Sequence, residues 1–157
     1  MTDPATNDRT LILERTIKAP RQKVWRCWTE SDLLKQWYCP KPWSVSHAEL
    51  DVRAGGMNLV VMQGPDGQQM SVPGVYLDVV PGTRLVFTDA FERAWAPSAK
   101  AFMLADITLG DTPERHTRYT ARVLHWSVAD REAHEKMGFH VGWGIAADQL
   151  EALAQTI

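Results

Sequence analysis

An α+β fold, an antiparallel meander of about six to seven strands closed by one long C-terminal helix, is what this sequence predicts. Three observations carry that prediction. Near the C-terminus, Trp143, Ala147, Leu150 and Ala154 fall at i, i+4, i+7 and i+11, one apolar stripe of a helix. Between Ser44 and Trp126, short apolar segments recur between the turn signals Ala54-Gly55-Gly56, Gly64-Pro65-Asp66-Gly67 and Pro81-Gly82-Thr83. Near the N-terminus, an apolar run stops at Ala19-Pro20, where proline ends a strand ladder and suits the first turn of a helix.

Taken in order, residues 11–18 (LILERTIK) predict a strand that passes directly into a helix whose apolar side is Val24, Trp25, Cys27 and Trp28. Ser31-Asp32 then offers an N-cap for a second short helix through Leu33, Leu34 and Trp37. Tyr38, Pro40, Pro42 and Trp43 make a stiff, irregular connection. Six strands are expected at 44–52, 57–63, 69–80, 84–90, 100–109 and 115–126, and the Gly64 to Gly67 turn is the strongest hairpin signal among them. In the last strand, Thr117, Tyr119, Ala121, Val123 and His125 share one phase, while Arg118, Thr120 and Arg122 share the phase that faces water. Ser127 caps a closing helix expected to run unbroken over 128–154. Its N-terminal half carries Gly138, Gly142 and Gly144, each costing about 1 kcal/mol of helix propensity, an outlay that points to close approach or to space. That half is expected to roof a cavity.

Composition bounds the function. At 157 residues the chain suits one domain, placed at 11–157 after a disordered start at 1–10. A formal charge of -2 without any Lys/Arg block argues against a nucleic-acid or anionic-membrane footprint. Cys27 and Cys39 are too few for a disulfide framework and read as reduced, buried thiols. The polar first ten residues lack an apolar signal core, and no later run approaches the length of a membrane span, so a cytoplasmic protein is expected. Seven tryptophans imply wide apolar surfaces, in a core or around a ligand.

The chain also resembles a known family: the activator of Hsp90 ATPase homologue-like branch of the START and Bet v 1 superfamily of helix-grip proteins. The likeness rests on 15–29 (RTIKAPRQKVWRCWT), 33–40 (LLKQWYCP), 51–57 (DVRAGGM), 74–80 (GVYLDVV), 84–89 (RLVFTD) and Gly142-Trp143, and their order covers nearly everything from Leu11 to Ala154. It implies a curved antiparallel sheet gripping a long C-terminal helix, two short helices after the first strand, and an apolar cavity between. It does not imply one function, because such families include a cochaperone domain, lipid and polyketide binders and resistance proteins. The sequence offers no counterpart to the long extra N-terminal region of the cochaperone, which ranks that role second.

Among chemistry-bearing residues, the five histidines (His47, His116, His125, His134 and His140) form no pair at metal-binding spacing, so no metal or other cofactor is expected. No nucleophile elbow is present, and no catalytic residue is assigned. An acid-base set of His125, Asp89, Asp106 and Tyr119 keeps cyclase-like or hydrolytic chemistry as a third reading. The leading expectation is a small-molecule cavity lined by Trp37, Trp43, Met62, Tyr76, Phe87, Trp95, Met103, Tyr119, His125, His140 and Trp143, for an apolar or aromatic ligand. A protein partner, an Hsp90-type ATPase among them, or a homodimer are further expectations.

Overall fold

The alternation in the last strand sets the inner face of the sheet. In the computed structural model, which describes residues 7–157, β9 (Thr117–His125) buries Thr117, Tyr119, Ala121, Val123 and His125 and turns the intervening residues outward. β9 pairs antiparallel with β1 (Thr10–Ile17) on one side and β8 (Met103–Asp111) on the other. With β2 (Ser44–Leu50), β3 (Met57–Gln63), β4 (Gln69–Val80) and β5 (Arg84–Thr88), the seven-stranded order is β1-β9-β8-β5-β4-β3-β2. Register shifts between Val45 and His47 and between Tyr76 and Asp78 each place an extra residue on one strand, a bulge of the kind that bends and twists the strand locally. A separate ribbon, β6 (Phe91–Arg93) with β7 (Ala96–Pro97), stands where the sequence indicated only a connection.

The helices depart from expectation at two points. α1 (Arg21–Thr29) follows Pro20 as predicted, but α2 (Ser31–Leu34) takes Glu30, not Ser31, as its N-cap, with no side-chain bond. Glu30 is extended, and its carbonyl already accepts from Leu33 N and Leu34 N, so Ser31 lies inside the turn. The closing helix is two helices, α3 (Val128–Lys136) and α4 (Phe139–Ala154). Gly138 breaks them apart at φ 93, a left-handed conformation that glycine adopts without steric cost. Ser127 does cap α3, its hydroxyl accepting from Asp130 N at 3.0 Å. At the N-terminus, Asn7–Arg9 forms a 3-10 helix and β1 starts at Thr10, so order begins within the stretch expected to be disordered; residues 1–6 lie outside the described residues.

The C-terminal half of α4 packs its inner face on the sheet and α1 and is tied down by side-chain bonds along its flanks. Ala147, Leu150 and Ala154 are buried against the sheet and α1. Around them, Arg15 pairs with Asp148 at 2.6 Å, Glu151 accepts from Lys18 N at 2.8 Å, and Gln155 donates to Lys18 O. Gln149 donates to the carbonyls of both Trp37 and Cys39 at 2.8 Å and accepts from Lys41 N, tying the segment after α2 to the helix. Among the described residues no such set of bonds holds the N-terminal half, and that asymmetry positions the site.

Candidate functional site: a cavity under the helix break

Small residues open a space where α4 begins. A Cβ built on Gly142 meets nothing within 4 Å, and Gly138 and Ala146 flank it on the same side. Beneath them lies a cavity of about 340 Å³. Trp28, Trp37, Tyr38, Cys39 and Pro40 form its wall on the α1 and α2 side, Met62, Met103 and Tyr119 its floor on the sheet, and His134, Met137, Gly138, Phe139, Gly142, Trp143 and Ala146 its roof. Met137 is 75% exposed and marks the rim. The lining contains no Lys, Arg, Asp or Glu. Burial raises the Tyr119 and Tyr38 hydroxyls well above their usual range and pushes the Cys39 thiol up to about 11, so these groups are neutral at pH 7. Cys27 and Cys39 are both free and buried, and neither is a thiolate. Trp28 Nε1 is buried and has no hydrogen-bond partner among the described residues.

The polar end of the roof is a histidine pair that spacing along the chain did not reveal. α3 folds back over β9 and sets His134 Nδ1 2.9 Å from His125 Nε2. Behind it, His125 Nδ1 is 2.9 Å from the carbonyl of Arg9, whose guanidinium in turn donates to His125 O. Phe102, Phe139 and Trp143 surround the His134 ring at centroid distances of 5.1, 5.2 and 6.4 Å. Burial, and secondarily the neighbouring His125, lowers the His134 pKa to about 4, so its ring is neutral at pH 7. Two histidines do not make a metal site, and among the described residues no cluster of three or more His, Cys, Asp or Glu exists that could hold an ion.

Of the eleven residues expected to line a cavity, Trp37, Met62, Met103, Tyr119 and Trp143 reach this one. The other six lie elsewhere, each for a local reason. Tyr76 and Phe87 pack edge-on at 6.5 Å in the core behind the wall, Phe87 also against Trp28 at 5.7 Å. Trp43 is half-buried against the core after the Pro42 turn, its ring beside Gly64. Trp95 rides on the β6–β7 ribbon, 61% exposed and edge-on to Phe91. His125 stands one layer behind His134. One residue after buried Phe139, His140 faces solvent near Glu135. Trp28, Tyr38, Cys39, Pro40, His134, Met137, Phe139 and Ala146 line the cavity without having been singled out for it. The acid-base set also comes apart. Asp106 lies on the outer face, gripped by Arg84 at 2.9 and 3.0 Å, and Asp89 accepts from Phe102 N and Met103 N as a turn cap.

A curved sheet closed over a helix, with an apolar chamber at one end, defines a helix-grip protein of the START and Bet v 1-like superfamily. Residues 18–155 match the family model described as Activator of Hsp90 ATPase homolog 1-like protein, and the chain belongs to that family. A crystal structure of a Nitrosomonas europaea protein is 41% identical over 96% of both chains, with a TM-score of 0.92. A Chromobacterium violaceum protein is 25% identical over 92% of this chain and 96% of its own, with a TM-score of 0.75. An AHSA1-like protein from Aeromonas hydrophila shares the fold at 18% identity and a TM-score of 0.70, over 94% of this chain and 92% of its own. Among proteins of curated function, none matches. No described helix is long and apolar enough to cross a membrane.

Proposed function

We propose that this protein binds an apolar or aromatic small molecule in the chamber under the α3–α4 break. The observation that supports it is the chamber itself: about 340 Å³, walled by aromatic and methionine side chains, with no charged group in the lining. A ligand giving up about 200 Å² of apolar surface there gains on the order of 5 kcal/mol before the cost of its immobilisation, a gain that alone corresponds to sub-millimolar binding, so tighter binding needs polar contacts as well. Met62, Met103 and Met137 let the wall adapt to irregular shapes. The test is fluorescence titration with N-phenyl-1-naphthylamine, an uncharged probe that brightens when buried. The wild type gives a saturable rise; Gly142→Phe, which fills the open space beside the helix, abolishes it. No saturable rise in the wild type, or an equal one in the variant, counts against the chamber.

A second reading, a protein-interaction module, is favoured by one feature. Val141 and Ile145 project from the outer side of α4 beside Met137, at 68%, 39% and 75% exposure, an apolar strip next to the cavity rim. A second copy of the chain or an Hsp90-type ATPase would cover it. Loss of partner capture on Val141→Glu is the corresponding test.

A further inference from the structure

The histidine pair says which kind of molecule the chamber takes. The carbonyl of Arg9 can only accept, so the 2.9 Å contact requires that His125 carry its proton on Nδ1. Neutral His125 then offers a lone pair at Nε2, and the 2.9 Å contact to His134 requires that His134 Nδ1 donate to it. The single proton of neutral His134 is thereby committed to Nδ1. Its Nε2 is left as a bare acceptor. That nitrogen makes no hydrogen bond to any described residue, and it is not among the fully enclosed atoms lacking a partner, although the residue as a whole is buried and forms part of the chamber wall. The aromatic ring of Phe102, Phe139 and Trp143 fixes the imidazole in this orientation.

We propose that the chamber selects uncharged ligands bearing a hydroxyl group, which donates to Nε2 of His134. The proposal rests on the chamber being a ligand site and narrows its ligand class. A carboxylate is refused twice: its oxygens meet the lone pair at Nε2, and no Lys or Arg lines the wall to replace the water it gives up. An ammonium fares no better, since no Asp or Glu lines the wall. The lowered pKa of His134 keeps the ring from becoming a cation near neutral pH, so it does not recruit anions there. A phenol or alcohol satisfies the free acceptor without introducing a charge.

Displacement of N-phenyl-1-naphthylamine by naphthalene, 2-naphthol and 2-naphthoate at pH 7.5 tests this on one carbon skeleton. One added neutral hydrogen bond corresponds to roughly a tenfold preference of 2-naphthol over naphthalene, with 2-naphthoate the weakest of the three. In His134→Phe the ratio of 2-naphthol affinity to naphthalene affinity falls to about onefold, whatever the change in the affinity of either compound alone. A second measurement needs no variant. Nitrogen-15 spectra of histidine-labelled protein show His134 protonated at Nδ1, and the Nε2 resonance moves on adding 2-naphthol but not naphthalene. Equal binding of naphthol and naphthalene by the wild type, a preference that survives in His134→Phe, strongest binding by 2-naphthoate, or a proton found on Nε2 would overturn the proposal. Failure of all three compounds to bind would instead sink the chamber reading on which it stands.

Discussion

At the scale of single residues, His134 ties the chamber to the stability of the fold. Unfolded, its imidazole takes up a proton with the ordinary pKa of 6.5; folded, burial and the neighbouring His125 ring lower that to about 4. Between those values the unfolded chain binds more protons than the folded one, so stability from this residue is complete above pH 6.5 and drains away as pH falls toward 4. The slope is at most about 1.4 kcal/mol per pH unit. Urea unfolding midpoints of the wild type should therefore drop between pH 7 and pH 5 more steeply than those of His134→Phe, which has no proton to take up. Parallel curves would remove His134 as the cause. Half of this residue pair was legible in the sequence: strict alternation from Thr117 put His125 on the inner face. The other half was not, because His134 reaches His125 only after α3 folds back over β9, a contact that no spacing rule along one helix or one strand encodes.

At the scale of elements, the glycines of the closing segment separate by what each one does. The sequence marked Gly138, Gly142 and Gly144 alike as expensive in a helix, without saying which of them breaks it. Gly138 sits at φ 93 and ends α3, while Gly142 lies inside α4 with open space where a side chain would stand. Substitution by alanine should thus have opposite signs. Gly138→Ala places a Cβ in the left-handed region and costs about 1–2 kcal/mol. Gly142→Ala gains helix propensity without a clash and stabilises by about 0.5–1 kcal/mol. Chemical denaturation of the two variants decides it, and a stabilising Gly138→Ala would remove the steric reason for the break. The apolar stripe was read well at Ala147, Leu150 and Ala154, which are buried, and less well at Trp143, which turns to the chamber beside His134. Periodicity identifies the face a side chain takes but not whether protein or a void lies beneath it.

At the scale of the whole molecule, the fold divides into a clamped end and a roomy end, and α4 crosses both. The antiparallel meander and the strand-to-helix junction at Pro20 were legible, since turn residues and period-two alternation are local signals, whereas the pairing of β1 with β9 across the length of the chain was not. Of the cavity wall, the aromatic and methionine content was legible but much of the membership was not. Trp95 and Phe87 have the same chemistry as Trp28 and Phe139, yet only their places in the tertiary fold send the first pair to a ribbon and a core and the second pair to a chamber. The division has a dynamic consequence. Residues 147–154 of α4 pack on the sheet and are flanked by the Arg15, Lys18 and Gln149 bonds, whereas residues 139–146 rest partly on a cavity and follow a left-handed glycine. Local opening free energy tracks buried apolar contact and hydrogen bonding, so the N-terminal half of α4 should open first. Hydrogen exchange read by mass spectrometry should show amides of 139–146 exchanging at least tenfold faster than those of 147–154. Saturation with N-phenyl-1-naphthylamine, by filling the space beneath the first half, should slow the first set and leave the second unchanged. Equal protection of the two halves without probe would mean that the cavity does not weaken its own roof. Slowing spread evenly along the helix would mean that the probe stabilises the fold as one unit rather than closing a chamber at one end of it.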